Sequence, residues 1–121
     1  MAPKVLIVED EPHIVESLTF LLGREGFDVT AVEDGEAALG ALAGALPSVL
    51  VLDAMLPGMD GFAVLRRLRS EPRTARLPVL MLTAKAQRRD RVTAEALGVD
   101  RFMTKPFSNA EFIAAVRGLA G

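Results

Sequence analysis

The sequence predicts an α/β fold, a doubly wound five-stranded parallel sheet with helices on both faces. Three observations carry that prediction. Short aliphatic runs alternate with helix-like segments five times without a break, an order that implies parallel strands joined by crossover helices. Lys4–Val8, Val49–Leu52 and Val79–Leu82 are apolar at nearly every position, as central strands covered on both sides are. Polar residues collect directly after these runs, at the strand ends where such sheets bind ligands.

The elements follow in order. KVLIV (Lys4–Val8) is the first strand. Pro12 then stands where the first turn of a helix tolerates proline, and Ile14, Leu18, Leu21 and Leu22 continue at helical spacing until Gly23 and Gly26. Phe27–Val32 alternates more than the other strands and is placed nearer an edge. EDGEAALGALAGAL (33–46) gives a second helix, weakened by Gly40 and Gly44. After the third strand, Val49–Leu52, Asp60-Gly61 marks a loop, and Phe62, Leu65 and Leu68 mark a third helix with arginines on its outer face. Val79–Leu82 is the fourth strand. Ala86–Leu97 is a charged fourth helix stopped by Gly98. Arg101–Thr104 is a short fifth strand, and Ser108 opens a last helix in which Ile113, Val116 and Ala120 share a face.

Composition narrows the function. The chain has 121 residues, half of them hydrophobic, which suits one domain over residues 1–121 with its own core. The formal charge of −2 carries no nucleic-acid signature. The basic stretch Arg66, Arg67, Arg69, Arg73 and Arg76 reads as a solvated helix face, since no aromatics interleave with it. With no cysteine there are no disulfides, thiolate metal sites or cysteine nucleophiles. No apolar run nears the ~20 residues of a membrane span, and the N-terminus lacks a signal-peptide pattern, so a cytoplasmic setting is expected. No G-x-x-x-x-G-K-[ST] or G-x-G-x-x-G follows the first strand, which argues against a nucleotide-binding domain.

The strand ends bring chain-distant groups to one rim: Glu9, Asp10 and Glu11 after the first strand, Asp53 after the third, Thr83 and Ala84 after the fourth, Lys105 after the fifth. Crowded carboxylates repel, and burial worsens the repulsion. One lysine offsets only part of that charge, whereas a hard divalent cation such as Mg²⁺ suits carboxylate and carbonyl oxygens. Lys105 adds a positive point charge and Thr83 a hydroxyl. His13 lies near the rim without a second ligand and reads as a surface histidine; Glu11 reads as a solvated acid. Asp53 is the best candidate for covalent chemistry, because an aspartate can accept a phosphoryl group, and such transfer needs mainly positioning and charge neutralisation.

The segments LIVEDE, VLDAMLPGMDG, MLTAK and FMTKPF, in this spacing, resemble response-regulator receiver domains of two-component signalling. The resemblance covers essentially the whole chain and implies the flavodoxin-like strand order 2-1-3-4-5. It implies Asp53 as phosphoacceptor, with Mg²⁺ held by Asp10, Asp53 and the Met55 backbone carbonyl and assisted by Glu9 through water. Thr83, the Ala84 N–H and Lys105 would hold phosphoryl oxygens. Lys105-Pro106 matches the family's cis peptide, and Phe102 stands at its aromatic switch position. Phosphorylation would draw Thr83 toward the phosphoryl group, let Phe102 fill the vacated space and repack the helix-four, strand-five and helix-five surface. The donor would be a phosphohistidine on a sensor histidine kinase or a histidine phosphotransfer protein. The surface would control an output domain or downstream protein, without direct nucleic-acid or membrane contact.

The wording of these segments is closest to receivers of winged-helix DNA-binding regulators. Such receivers dimerise through opposed charges on that surface, and Arg91, Asp100 and Glu111 fit a possible homodimer formed on phosphorylation. Arg88, Arg89 and Arg101 stand where acids are usual, and Ala115 replaces a usual basic residue, which works against it. Glu111 also follows Ser108 at capping-box spacing, and Thr83 also fits a helix cap. The resemblance implies a phosphoacceptor that assists its own phosphorylation and dephosphorylation, not a turnover enzyme. Aspartyl-phosphate hydrolases carry a second acid two residues after the nucleophile, where this chain has Met55. The domain is expected either to stand alone or to belong to a longer protein.

Overall fold

The structure, a computed structural model, describes residues 2–84 and 88–121. Its elements are β1 (Lys4–Val8), α1 (Pro12–Arg24), β2 (Asp28–Val32), α2 (Gly35–Leu42), β3 (Val49–Asp53), α3 (Gly61–Arg69), β4 (Val79–Thr83), α4 (Arg88–Ala96), β5 (Arg101–Thr104) and α5 (Asn109–Ala120). All strand pairs are parallel, in the order β2-β1-β3-β4-β5. The expected architecture and strand order are therefore observed, with β2 at one edge and β5 at the other.

The uniformly apolar central strands conceal a strict alternation. Leu6, Val8, Leu50, Leu52, Val79 and Met81 point to one face, where α2, α3 and α4 cover them. Val5, Ile7, Val49, Val51, Leu80 and Leu82 point to the other, under α1 and α5. Both faces are buried because side chains alternate across a strand. Register then decides which groups share the rim: Asp53 lies beside Leu82, and Thr83 beside Thr104.

Local chemistry sets the helix ends. Glu11 caps α1 by accepting from the His13 N–H, with Pro12 in the first turn, so this acid has a structural partner. Asp34, Asp60 and Ser108 cap α2, α3 and α5 by accepting from the N–H groups of Ala37, Ala63 and Glu111. The Ser108 hydroxyl also donates to the Glu111 carboxylate.

Several boundaries differ from expectation. Strands β3 and β4 run one residue further, so Asp53 and Thr83 belong to the sheet. Helix α2 stops at Leu42, well short of 46, where Arg73 donates to the carbonyl oxygens of Leu42 and Gly44. The described part of α4 begins at Arg88; Ala86 lies outside the described residues. The apolar face of α5 centres on Phe112, Ala115 and Val116, with Ile113 half-buried. The arginine stretch is not uniformly solvated either. Arg69 donates to the carbonyls of Gly98 and Thr74 and pairs with Asp100, which also accepts from the Val79 N–H.

Candidate functional site: an acidic rim crossed by one lysine

The rim forms at the carboxyl ends of β1, β3, β4 and β5. Glu9 follows β1 directly and is buried, its N–H donating to the Val32 carbonyl. One carboxylate oxygen of Glu9 accepts from the N–H groups of Asp10 and Glu11, at 3.0 and 3.4 Å. The other accepts from Lys105 Nζ at 2.7 Å. Asp53 ends β3 and is buried as well. Its Oδ1 accepts from the Met55 N–H at 3.0 Å, and its Oδ2 lies 3.4 Å from Lys105 Nζ. Lys105 is brought inward because its own N–H donates to the Thr83 carbonyl at 2.7 Å, tying the chain after β5 to the end of β4. The Lys105–Pro106 peptide is cis.

Electrostatics follow from this packing. Burial pushes the Glu9 carboxyl above its ordinary value, the contact with Asp53 adds to the rise, and Lys105 only partly counters it. Burial acts to lower the Lys105 ammonium, but Glu9 and Asp53 outweigh it and hold the lysine above its ordinary value. Carboxylate oxygens of Glu9, Asp10 and Asp53 lie within 4.8 Å of one another. Among the described residues, three acids against one ammonium leave excess negative charge among hard oxygen donors, and that donor set fits a divalent cation such as Mg²⁺.

The sequence-derived residues divide clearly. Glu9, Asp10, Asp53 and Lys105 meet directly. Thr83 is buried at the end of β4, one residue beyond Asp53's neighbour in the sheet, and Ala84 is exposed just after it. Met55 points its side chain to solvent while its N–H orients Asp53. Phe102 is buried in the core beneath the Arg91 guanidinium, 5.0 Å from its ring centroid. Arg91, Asp100 and Glu111 make their observed contacts within the chain: Arg91 on Phe102, Asp100 with Arg69, Glu111 with Ser108.

Two features escaped the sequence reading. The Glu9–Lys105 ion pair joins residues 96 apart in sequence, and only the convergence of strand ends hinted at it. Gly61 was read as loop punctuation. A Cβ there would collide with the Asp53 carbonyl oxygen and approach the Ala54 Cα to 2.8 Å. Glycine thus lets α3 start directly against the strand that carries Asp53.

Comparison with known proteins agrees with this geometry. The family model "Response regulator receiver domain" matches residues 5–117. The chain is 43% identical over 119 residues to the phosphate regulon transcriptional regulatory protein PhoB of Rhizobium meliloti (strain 1021), covering 98% of this chain and 52% of that protein. It is 44% identical over 119 residues to the alkaline phosphatase synthesis transcriptional regulatory protein PhoP of Bacillus subtilis (strain 168), covering 98% and 49%. The chain thus spans about half the length of the curated relatives it matches. A putative response regulator from Chloroflexus aurantiacus J-10-fl superposes with a TM-score of 0.94 at 32% identity, covering 99% of this chain and 98% of that one. The receiver domain of a sensor histidine kinase from Pseudomonas aeruginosa PAO1, with a magnesium ion in its active-site cleft, superposes at 0.91 with 29% identity, covering 100% and 99%. With its fold, its acidic rim and its sequence in agreement, the chain belongs to the response regulator receiver domain family, the phosphorylation-activated switches of two-component signalling.

Proposed function

We propose that residues 1–121 form a cytoplasmic receiver that accepts a phosphoryl group on Asp53 from a phosphohistidine of a sensor histidine kinase or histidine phosphotransfer protein. The observation that carries this reading is the placement of buried Asp53 beside Lys105 at one sheet end, with Glu9 and Asp10 alongside. In the transfer, an Asp53 carboxylate oxygen bonds to phosphorus while the P–N bond to the donor imidazole breaks. The electron pair stays on the imidazole nitrogen, which takes a proton from solvent. The Met55 N–H holds one Asp53 oxygen and so fixes the carboxylate plane. Lys105, already 3.4 Å from the other oxygen, pairs with a phosphoryl oxygen as charge builds there. The Thr83 hydroxyl and Ala84 N–H take the remaining phosphoryl oxygens. Asp10, Asp53 and the Met55 carbonyl would hold Mg²⁺, with Glu9 assisting through water, and the ion would supply positive charge against the carboxylates and the incoming phosphoryl group. The same groups assist loss of the phosphoryl group to water.

The switch runs from Thr83 to Phe102 and the surface of α4, β5 and α5, which controls an output domain or downstream protein. Incubation with a small-molecule phosphodonor tests the chemistry. A Mg²⁺-dependent mass increase of one phosphoryl group is expected in the wild type and absent in Asp53→Asn; an equal increase in both rejects Asp53 as acceptor.

A further inference from the structure

Charge is distributed unevenly along the chain. Residues 1–60 carry eleven acidic and two basic side chains, residues 61–121 five acidic and twelve basic. The strand order turns this bias into a spatial one, because β1, β2 and β3 come from the first half and β4 and β5 from the second. The β2 edge is therefore acidic, while toward β5 lie Arg88, Arg89, Arg91 and Arg101, interspersed with Asp90, Glu95 and Asp100.

Each edge also carries an exposed apolar feature. Beside β2, a groove of about 590 Å³ is lined by Pro12, Val15, Thr19, Phe20, Ala31 and Val32. Glu9, Asp10, Glu16 and Glu33 border it, and Phe20 is 63% exposed, with the Arg24 guanidinium 5.6 Å from its ring centroid. At the opposite edge, α4 presents Arg88, Arg89 and Arg91 around Val92, which is 55% exposed, with Arg101 of β5 nearby in sequence and also exposed. The three α4 arginines lie within the first four described residues of that helix. Among the described residues, Arg88, Arg89, Arg91 and Arg101 form no ion pair with a carboxylate, and neither do Asp10, Glu16 and Glu33 with a cation. Apart from Arg91, whose guanidinium lies over Phe102, folding gains nothing evident from either set, whereas each matches the other in sign and each borders an apolar projection or groove.

We propose that a second copy of this chain occupies the groove, head to tail: the Arg88, Arg89 and Val92 ridge of one molecule seats between α1 and β2 of the next, against Glu16, Glu33 and Phe20. The two patches lie at opposite edges of the sheet, so the contact is heterologous and propagates beyond a dimer instead of closing on a two-fold axis. It requires neither Asp53 nor a phosphodonor, and stands or falls separately from the phosphoryl chemistry.

Sedimentation velocity across a concentration series at low ionic strength tests it. The sedimentation coefficient of the wild type is expected to rise continuously with concentration and to fall back to the monomer value in about 0.5 M NaCl, where screening acts within roughly 4 Å. Arg88→Gln/Arg89→Gln and Glu16→Gln/Glu33→Gln each raise the dissociation constant at least about tenfold. Both sets are at the surface, and unchanged thermal melts confirm their folding. Mixing the two variants restores one intact contact and yields a 1:1 dimer that grows no further. A wild type that stays monomeric at low salt overturns the proposal, as does association untouched by either variant or a mixture that stays monomeric.

Discussion

Lys105 is the only cation among the described residues that touches the two buried carboxylates, Glu9 and Asp53. Its ammonium is held above the ordinary lysine value, so its stabilising effect is complete below that value and disappears as pH rises through the folded-state pKa. Glu9 has the same sign in a lower pH window. Its carboxyl is also raised, so the folded state takes up its proton more readily, and stability declines as pH rises from the ordinary glutamate value through the raised one. Lys105→Ala is therefore expected to cost about 2 kcal/mol at pH 7, where Glu9 loses a charged hydrogen-bond donor. The loss should shrink toward acid pH, where a protonated Glu9 no longer needs the ammonium. Urea denaturation at pH 7 and at the lowest pH at which the wild type remains folded checks this. An equal loss at both values removes Glu9 from the explanation. Glu9→Gln isolates the same residue: it removes a costly buried charge while keeping an acceptor for Lys105, so stability at pH 7 should change by less than about 1 kcal/mol. Thermal melts with and without MgCl₂ complete that comparison. Magnesium is expected to raise the wild-type melting temperature and to raise that of Glu9→Gln less.

Among the elements, the junction of β3 and α3 is the most constrained. The Gly61 N–H donates to the Ala54 carbonyl, and any side chain at 61 meets backbone atoms of Asp53 and Ala54, which cannot rotate away. Gly61→Ala is expected to cost about 3 kcal/mol, read as a lowered midpoint in thermal or urea unfolding. A cost under about 1 kcal/mol would mean that the junction relaxes freely. This position also marks how far the sequence was legible. Alternation, apolar runs and capping residues revealed every element, because each is a local or periodic property. The rim residues were legible because parallel topology sends all strand ends to one side. Contacts between distant side chains carry no periodic signal. That is why Arg69 and Arg73 read as solvated cations, although one binds the α4–β5 connection and the other the end of α2. It is also why the sequence offers Asp100 as an interface acid and does not show that it takes both the Arg69 guanidinium and the Val79 N–H within the chain.

Across the whole molecule, the proposed phosphoryl site and the proposed output surface are separated by β4 and joined through it. Asp53 lies beside Leu82, Lys105 is tied to the Thr83 carbonyl, and Met81 lies beside Phe102, whose ring sits under Arg91 of α4. Helix α4 is the element that moves most cheaply, since Ala94 is its one buried residue among those described, whereas α3 and α5 each bury several. A change at Asp53 is therefore expected to register in α4 and β5, while β1 and the α1–β2 edge stay fixed. Hydrogen exchange with and without a beryllofluoride adduct in MgCl₂ measures this. Altered exchange should concentrate in residues 88–104 and vanish in Asp53→Asn. Arg91→Ala should speed exchange in α4 roughly two- to fivefold even without the adduct, because a cation–π contact of about 0.5–1 kcal/mol is gone. Altered exchange spread evenly over all five strands would mean that the sheet responds as one body, and α4 would lose its place as the moving part.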